Sequence, residues 1–78
     1  MITTFSDVCC GDLFQEVDKE TGEVNENFTF LAIELHENTY FNSVIYEDKQ
    51  VESDNARGYG AKFFPYDKVK IINRINNK

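Results

Sequence analysis

The sequence predicts an all-β fold: a small, mostly antiparallel, five-stranded barrel that takes residues 1–78 as a single domain. Three observations carry that expectation. Apolar residues recur with a period of two in short runs rich in β-branched and aromatic side chains, and a 3.6-residue period is weak throughout. Gly, Asn and Asp punctuate those runs, as turns between strands require. The chain has 78 residues, 41% of them apolar, with seven Phe and four Tyr, which suits one compact core and not a disordered segment. A chain of this size is stable by only about 4–12 kcal/mol. Closing the sheet into a barrel would remove the unpaired edges that invite aggregation.

The elements follow in order. Residues 12–18 (DLFQEVD) read as a strand entered through Gly11. Lys19-Glu20-Thr21-Gly22 reads as a hairpin turn, with Gly22 able to take a positive φ. Residues 27–36 (NFTFLAIELH) form the clearest strand, with Leu31, Ile33 and Leu35 on one face and Glu34 and His36 on the other. A turn at Glu37-Asn38 leads to a strand over 39–47, with Phe41 and Ile45 on one face and Tyr40, Val44 and Tyr46 on the other. Residues 48–60 are polar and bounded by glycines, so they read as a loop. Residues 68–73 (KVKIIN) make the last strand, with Val69 and Ile71 inward and Lys68 and Lys70 outward, and the tail from about 74 to 78 frays.

The single proline stands in FFPYDKVKII, just before that strand. Proline cannot donate to a strand ladder, so Pro65 belongs outside the sheet, in a 3₁₀ turn where Phe63 and Phe64 plug the end of the barrel. The spacing Phe64, Pro65, Val69, Ile72, together with Phe5 ahead of Gly11-Asp12-Leu13, resembles the closing strand and the diverging turn of SH3 domains. The resemblance implies an SH3-like barrel. It does not extend to the proline-peptide groove of that family. The chain has no Trp, Lys68 stands where the groove tyrosine would be, no Ala-Leu-Tyr-Asp-Tyr segment precedes Gly11, and the loop before Phe63 is longer.

The start of the chain has no basic segment and no apolar run of leader length, and no run approaches the length of a membrane span. These features lead us to expect a cytoplasmic protein. Cys9 and Cys10 are adjacent, and a disulfide between neighbours closes a strained eight-membered ring. Both are therefore expected reduced, with at least one buried as a small apolar residue. No catalytic set is legible. His36 is the only histidine and sits between Glu34 and Glu37. Nothing in the sequence joins it to Cys9 or Cys10 as base and nucleophile. Two cysteines and one histidine do not supply a metal site, no calcium-type Asp loop is present, and Gly58-Tyr59-Gly60 lacks the context of a phosphate loop. We expect no enzyme activity and no cofactor.

Charge is the strongest unusual feature. Residues 1–54 carry 13 acids and two bases, Lys19 and Lys49, a net of −11. Residues 55–78 carry six bases and one acid, Asp67, a net of +5, and the halves sum to −6. Glu16, Asp18, Glu20, Glu23 and Glu26 crowd into eleven residues around the hairpin turn. They are either a solvated tip or a carboxylate array directed at a basic surface. The expected function is therefore a small, acidic, non-catalytic protein-binding module. Its size, acidity and Asn/Ile/Lys-rich usage fit a phage or mobile-element inhibitor of a basic, nucleic-acid-handling host protein. A second reading is a nucleic-acid-binding barrel that uses Arg57, Tyr59, Lys62, Tyr66, Lys68, Lys70 and Arg74 for stacking and phosphate contacts. The net negative field of the whole chain opposes that reading. A third is a scaffold subunit of a larger assembly.

Overall fold

The computed structural model describes residues 2–33, 41–48 and 59–74. Among these residues the protein is all-β. The strands are β1 (Ile2–Thr4), β2 (Asp12–Glu16), β3 (Phe28–Ala32), β4 (Ser43–Asp48), β5 (Gly60–Ala61) and β6 (Lys68–Arg74), and the single helical element is a 3₁₀ turn at Phe5–Asp7. They form one antiparallel sheet in the order β1-β6-β2-β3-β4-β5. No helix among these residues is long and apolar enough to cross a membrane.

The sheet is open, which corrects the expected closed barrel. The reason lies in how β6 is used. One side of β6 pairs with β2 and the other with the N-terminal β1, where Ile2, Thr3 and Thr4 face Lys70, Val69 and Lys68. No edge of β6 is left for β5. At the far end β5 is only two residues long, paired as Ser43 with Ala61 and Val44 with Gly60. The chain then leaves the sheet, and residues 62–67 cross its core face instead of continuing a ladder. The core is thus closed by side chains and a loop.

Phenylalanine builds that closure. The alternation of β2, β3 and β6 sends Phe14, Phe30, Ala32 and Val69 to one face, where they are buried with Phe63 from the crossing segment. Phe5, from the 3₁₀ turn, lies against Phe14 with ring centroids 5.4 Å apart and against Phe63 at 5.5 Å. Phe63 in turn meets Phe14 and Phe30 edge-on, each at 5.0 Å. These edge-to-face contacts suit the quadrupoles of the rings. The two covering segments are bonded to each other, Phe5 N donating to the Asp67 carbonyl at 2.8 Å and Ser6 N to the Pro65 carbonyl at 3.1 Å. Register shifts at Leu13/Phe14 in the β2–β6 pairing and at Thr29/Phe30 in the β3–β4 pairing bend the sheet on either side of the central β2–β3 pair, as β-bulges do.

Several expectations are corrected in detail. The 3₁₀ helix lies at Phe5–Asp7, while Pro65 and Tyr66 form a single turn closed by Asp67 N donating to the Phe64 carbonyl at 3.0 Å. Phe63 is buried at 6% exposure, but Phe64 is 47% exposed and does not plug the core. Val69 is fully buried and Ile71 partly so. On β3 the inward face carries Phe30 and Ala32, with Leu31 on the other face. Arg74 is paired with Asp12 at the end of β6. Cys9 and Cys10 both carry exposed thiols, so neither serves as a core residue. They sit in the turn into β2, where Gly11 has a φ of 98°. There Cys9 N donates to Asp12 Oδ2 at 2.8 Å and Asp12 N to the Cys9 carbonyl at 2.9 Å. His36, Arg57, the Glu37-Asn38 turn, most of the 48–60 loop and the tail beyond residue 74 lie outside the described residues.

Candidate functional site

The acidic run is built on the continuation of β2. After Glu16, Val17 is buried and bridges Val24 across the hairpin, while Glu16 and Asp18 are exposed on either side of it. Asn25 N donates to the Glu16 carbonyl at 2.8 Å and Asp18 N to the Glu23 carbonyl at 2.8 Å, which holds the two arms in register. Gly22 takes the positive φ the turn needs, 77°, and its N–H donates to the Asp18 carbonyl at 2.9 Å. The expected turn is therefore present.

Asp18 has a local task. Its Oδ1 accepts the backbone N–H groups of Glu20 at 2.7 Å and Thr21 at 3.1 Å, an Asx-type cap that organises the tip. Thr21 Oγ1 adds a further acceptor for Glu23 N at 3.2 Å. Glu16, Glu20, Glu23 and Glu26 make no such contribution to the turn and are exposed along with Asp18. Two shallow, open depressions of about 440 and 430 Å³ flank the hairpin. Glu16, Asp18 and Glu20 border the first; Asp18, Glu23 and Glu26 border the second; Asn25 belongs to both. All five predicted carboxylates thus edge one continuous surface.

Lys19 is the sole base within residues 16–27, and its ion pair is with Asp67, outside that run, although it also lines the depression bordered by Glu16 and Glu20. Its Nζ lies 4.0 Å from Asp67 Oδ1 and 5.9 Å from the centre of the Tyr66 ring. The base between the acids is therefore engaged with the segment after Pro65. A pair at that distance with Lys19 largely exposed adds little stability, so the contact matters for where charge is placed.

The described members of the second candidate set, the basic residues, span β6, the segment leading into it and the approach to β5. Lys68 and Lys70 alternate along β6, Lys62 lies exposed on the crossing segment, and Tyr59 is exposed ahead of β5. Arg74 is tied locally. Its Nη1 lies 3.9 Å from the buried Asp12 carboxylate, and its Nη2 donates to the Asp7 carbonyl at 3.3 Å. Tyr66 is 68% exposed and stacks on Phe64, with centroids 5.6 Å apart and planes 4° from parallel. Sequence reasoning paired Tyr66 with bases and placed Phe64 inside. It missed that the two rings form an exposed step beside the hairpin. The legible signal was the i, i+2 spacing of aromatics across a proline turn.

Among the described residues no three His, Cys, Asp or Glu side chains converge as a group able to hold a metal ion. Cys9 and Cys10 lie in an exposed turn. No family model, curated protein or solved structure matches this chain.

Proposed function

We propose that this protein is a non-catalytic binding module whose acidic hairpin docks on the basic surface of a protein partner. One observation carries the reading. Glu16, Glu20, Glu23 and Glu26 are exposed along a single ordered hairpin, and the cation sitting among them in sequence, Lys19, is directed to Asp67 and Tyr66 instead. The carboxylates therefore keep their mutual repulsion, about 1 kcal/mol for a close pair in water. A basic surface relieves it. A row of carboxylates is also chemically a competitor of a phosphate backbone. The partner we favour is thus a protein whose basic face otherwise holds nucleic acid, and the module acts as its inhibitor, in the manner of small phage or mobile-element proteins. The SH3-like reading enters only through chain path: the Pro65 turn feeds the strand that completes the sheet, while recognition runs through the hairpin and not through a polyproline groove.

The test replaces Glu16, Glu20 and Glu23 with Lys and leaves Asp18 alone because it caps the turn. Far-UV circular dichroism and the melting curve should be preserved. Affinity for the partner recovered from source cells should fall well over tenfold, and the wild-type association rate should drop steeply as salt rises. Binding indifferent both to the triple change and to salt up to near-molar levels sinks the proposal, and the acids are then a solvated surface.

A further inference from the structure

The aromatic step formed by Phe64 and Tyr66 lies outside the core, and no part of the hairpin argument accounts for it. Two large rings, 47% and 68% exposed, are stacked nearly parallel on a turn of fixed shape. The fixing is explicit. Phe64 N donates to Asp67 Oδ2 at 2.8 Å, Asp67 N returns to the Phe64 carbonyl at 3.0 Å, and the Pro65 carbonyl accepts Ser6 N at 3.1 Å. Such rings lose little conformational freedom on binding, which is what makes rigid surface aromatics effective anchors.

The chemistry of the occupant is indicated by the chain itself. Lys19 sets its ammonium over Tyr66 at 5.9 Å from the ring centre, beside Asp67 Oδ1 at 4.0 Å. The same Lys19 lines the depression bordered by Glu16 and Glu20, so the step and the acidic surface are continuous. The spot therefore takes a cation that has an aromatic face under it and a carboxylate at its side. Its present occupant is held loosely, with its side chain 74% exposed. A guanidinium fits better than an ammonium. It is planar, stacks on aromatic faces, is less strongly hydrated, and can donate to Asp67 Oδ1, the oxygen that Phe64 N does not use.

We infer that Phe64, Tyr66 and Asp67 form an arginine seat at the border of the hairpin, so that the partner surface is arginine-bearing and one of its arginines displaces Lys19 from Tyr66. This rests on the hairpin reading and narrows it from a basic partner to an arginine-bearing one.

The probes are nona-arginine and nona-lysine, equal in charge, titrated by fluorescence anisotropy against the intact protein at one moderate salt concentration. Both peptides should bind, and nona-arginine should bind about three- to tenfold more tightly, the range expected for one cation–π contact with its hydrogen bonds. Tyr66→Ala and Phe64→Ala should bring that ratio close to one. Ile72→Ser, which removes another exposed apolar side chain away from the step, should keep it. Replacing Glu16, Glu20 and Glu23 with Lys should abolish binding of both peptides. Equal binding of the two peptides, or a preference that survives Tyr66→Ala, overturns the seat while leaving the hairpin reading in place. Failure of both peptides to bind the wild-type protein removes both. Binding of a ten-residue oligothymidine that disappears in Tyr66→Ala would assign the step to nucleic-acid bases and likewise overturn the arginine seat.

Discussion

Phe63 and Phe64 are the same residue type at adjacent positions, and the structure assigns them opposite roles. Replacing each with Ala separates the two environments while composition and unfolded-chain effects stay nearly constant. Phe63 is 6% exposed and touches three rings, those of Phe5, Phe14 and Phe30, at centroid distances of 5.5, 5.0 and 5.0 Å. Its removal leaves a cavity at the centre of the cluster, and buried Phe→Ala changes typically cost about 3–5 kcal/mol. Phe64 is 47% exposed and touches Tyr66, itself largely exposed. About half of a Phe transfer term plus one loose ring contact comes to about 1 kcal/mol. The expected gap is therefore about 2–4 kcal/mol, on the order of 10–30 °C in Tm for a domain of this size. Urea unfolding followed by circular dichroism reads the difference directly. Total stability is about 4–12 kcal/mol, so Phe63→Ala lies near the folding threshold. Phe63→Leu, which keeps most of the volume, then supplies the comparison and should still cost more than Phe64→Leu. Equal costs at the two positions, or a larger cost at Phe64, would show that residues 62–67 do not cross the core face as described.

The hairpin tip makes a second prediction. Asp18→Ala removes the acceptor of two backbone N–H groups and should destabilise by about 1 kcal/mol, whereas Asp18→Asn, which keeps Oδ1, should be close to neutral in thermal melts. Equal loss in both variants would mean that the charge and not the cap matters there. Ser43 makes a third. Its side chain is fully buried between the partners Ala32 and Ala61, and its hydroxyl has no hydrogen-bond partner among the described residues. Ser43→Ala should therefore be neutral or stabilising by up to about 1 kcal/mol in urea titrations, since it deletes an unsatisfied polar atom. A loss of more than about 1 kcal/mol would reveal a partner for that hydroxyl.

The features legible in the chain are local ones. Period-two alternation marks β2, β3, β4 and β6, because side-chain direction along a strand depends only on position. Gly22 in the turn follows from equally short-range rules. The dense carboxylates and the proline turn before the last strand were likewise legible at close range. Strand pairing and the choice of inward face depend on the assembled fold. β1 and β5 are three and two residues long, too short to carry a pattern, yet β1 takes the free side of β6 and so leaves the sheet open. On β3 both faces are apolar, and Phe30 and Ala32 turn inward because Phe5 and Phe63, respectively 25 and 33 residues away from Phe30 by difference in number, complete that face. The direction of Lys19 is of the same kind. Its sequence neighbours are acids, but the hairpin brings it beside Asp67 and Tyr66, nearly fifty positions away by difference in number. Contacts at such separations are chosen by which surfaces the whole chain must bury together, and no local window of sequence contains that choice.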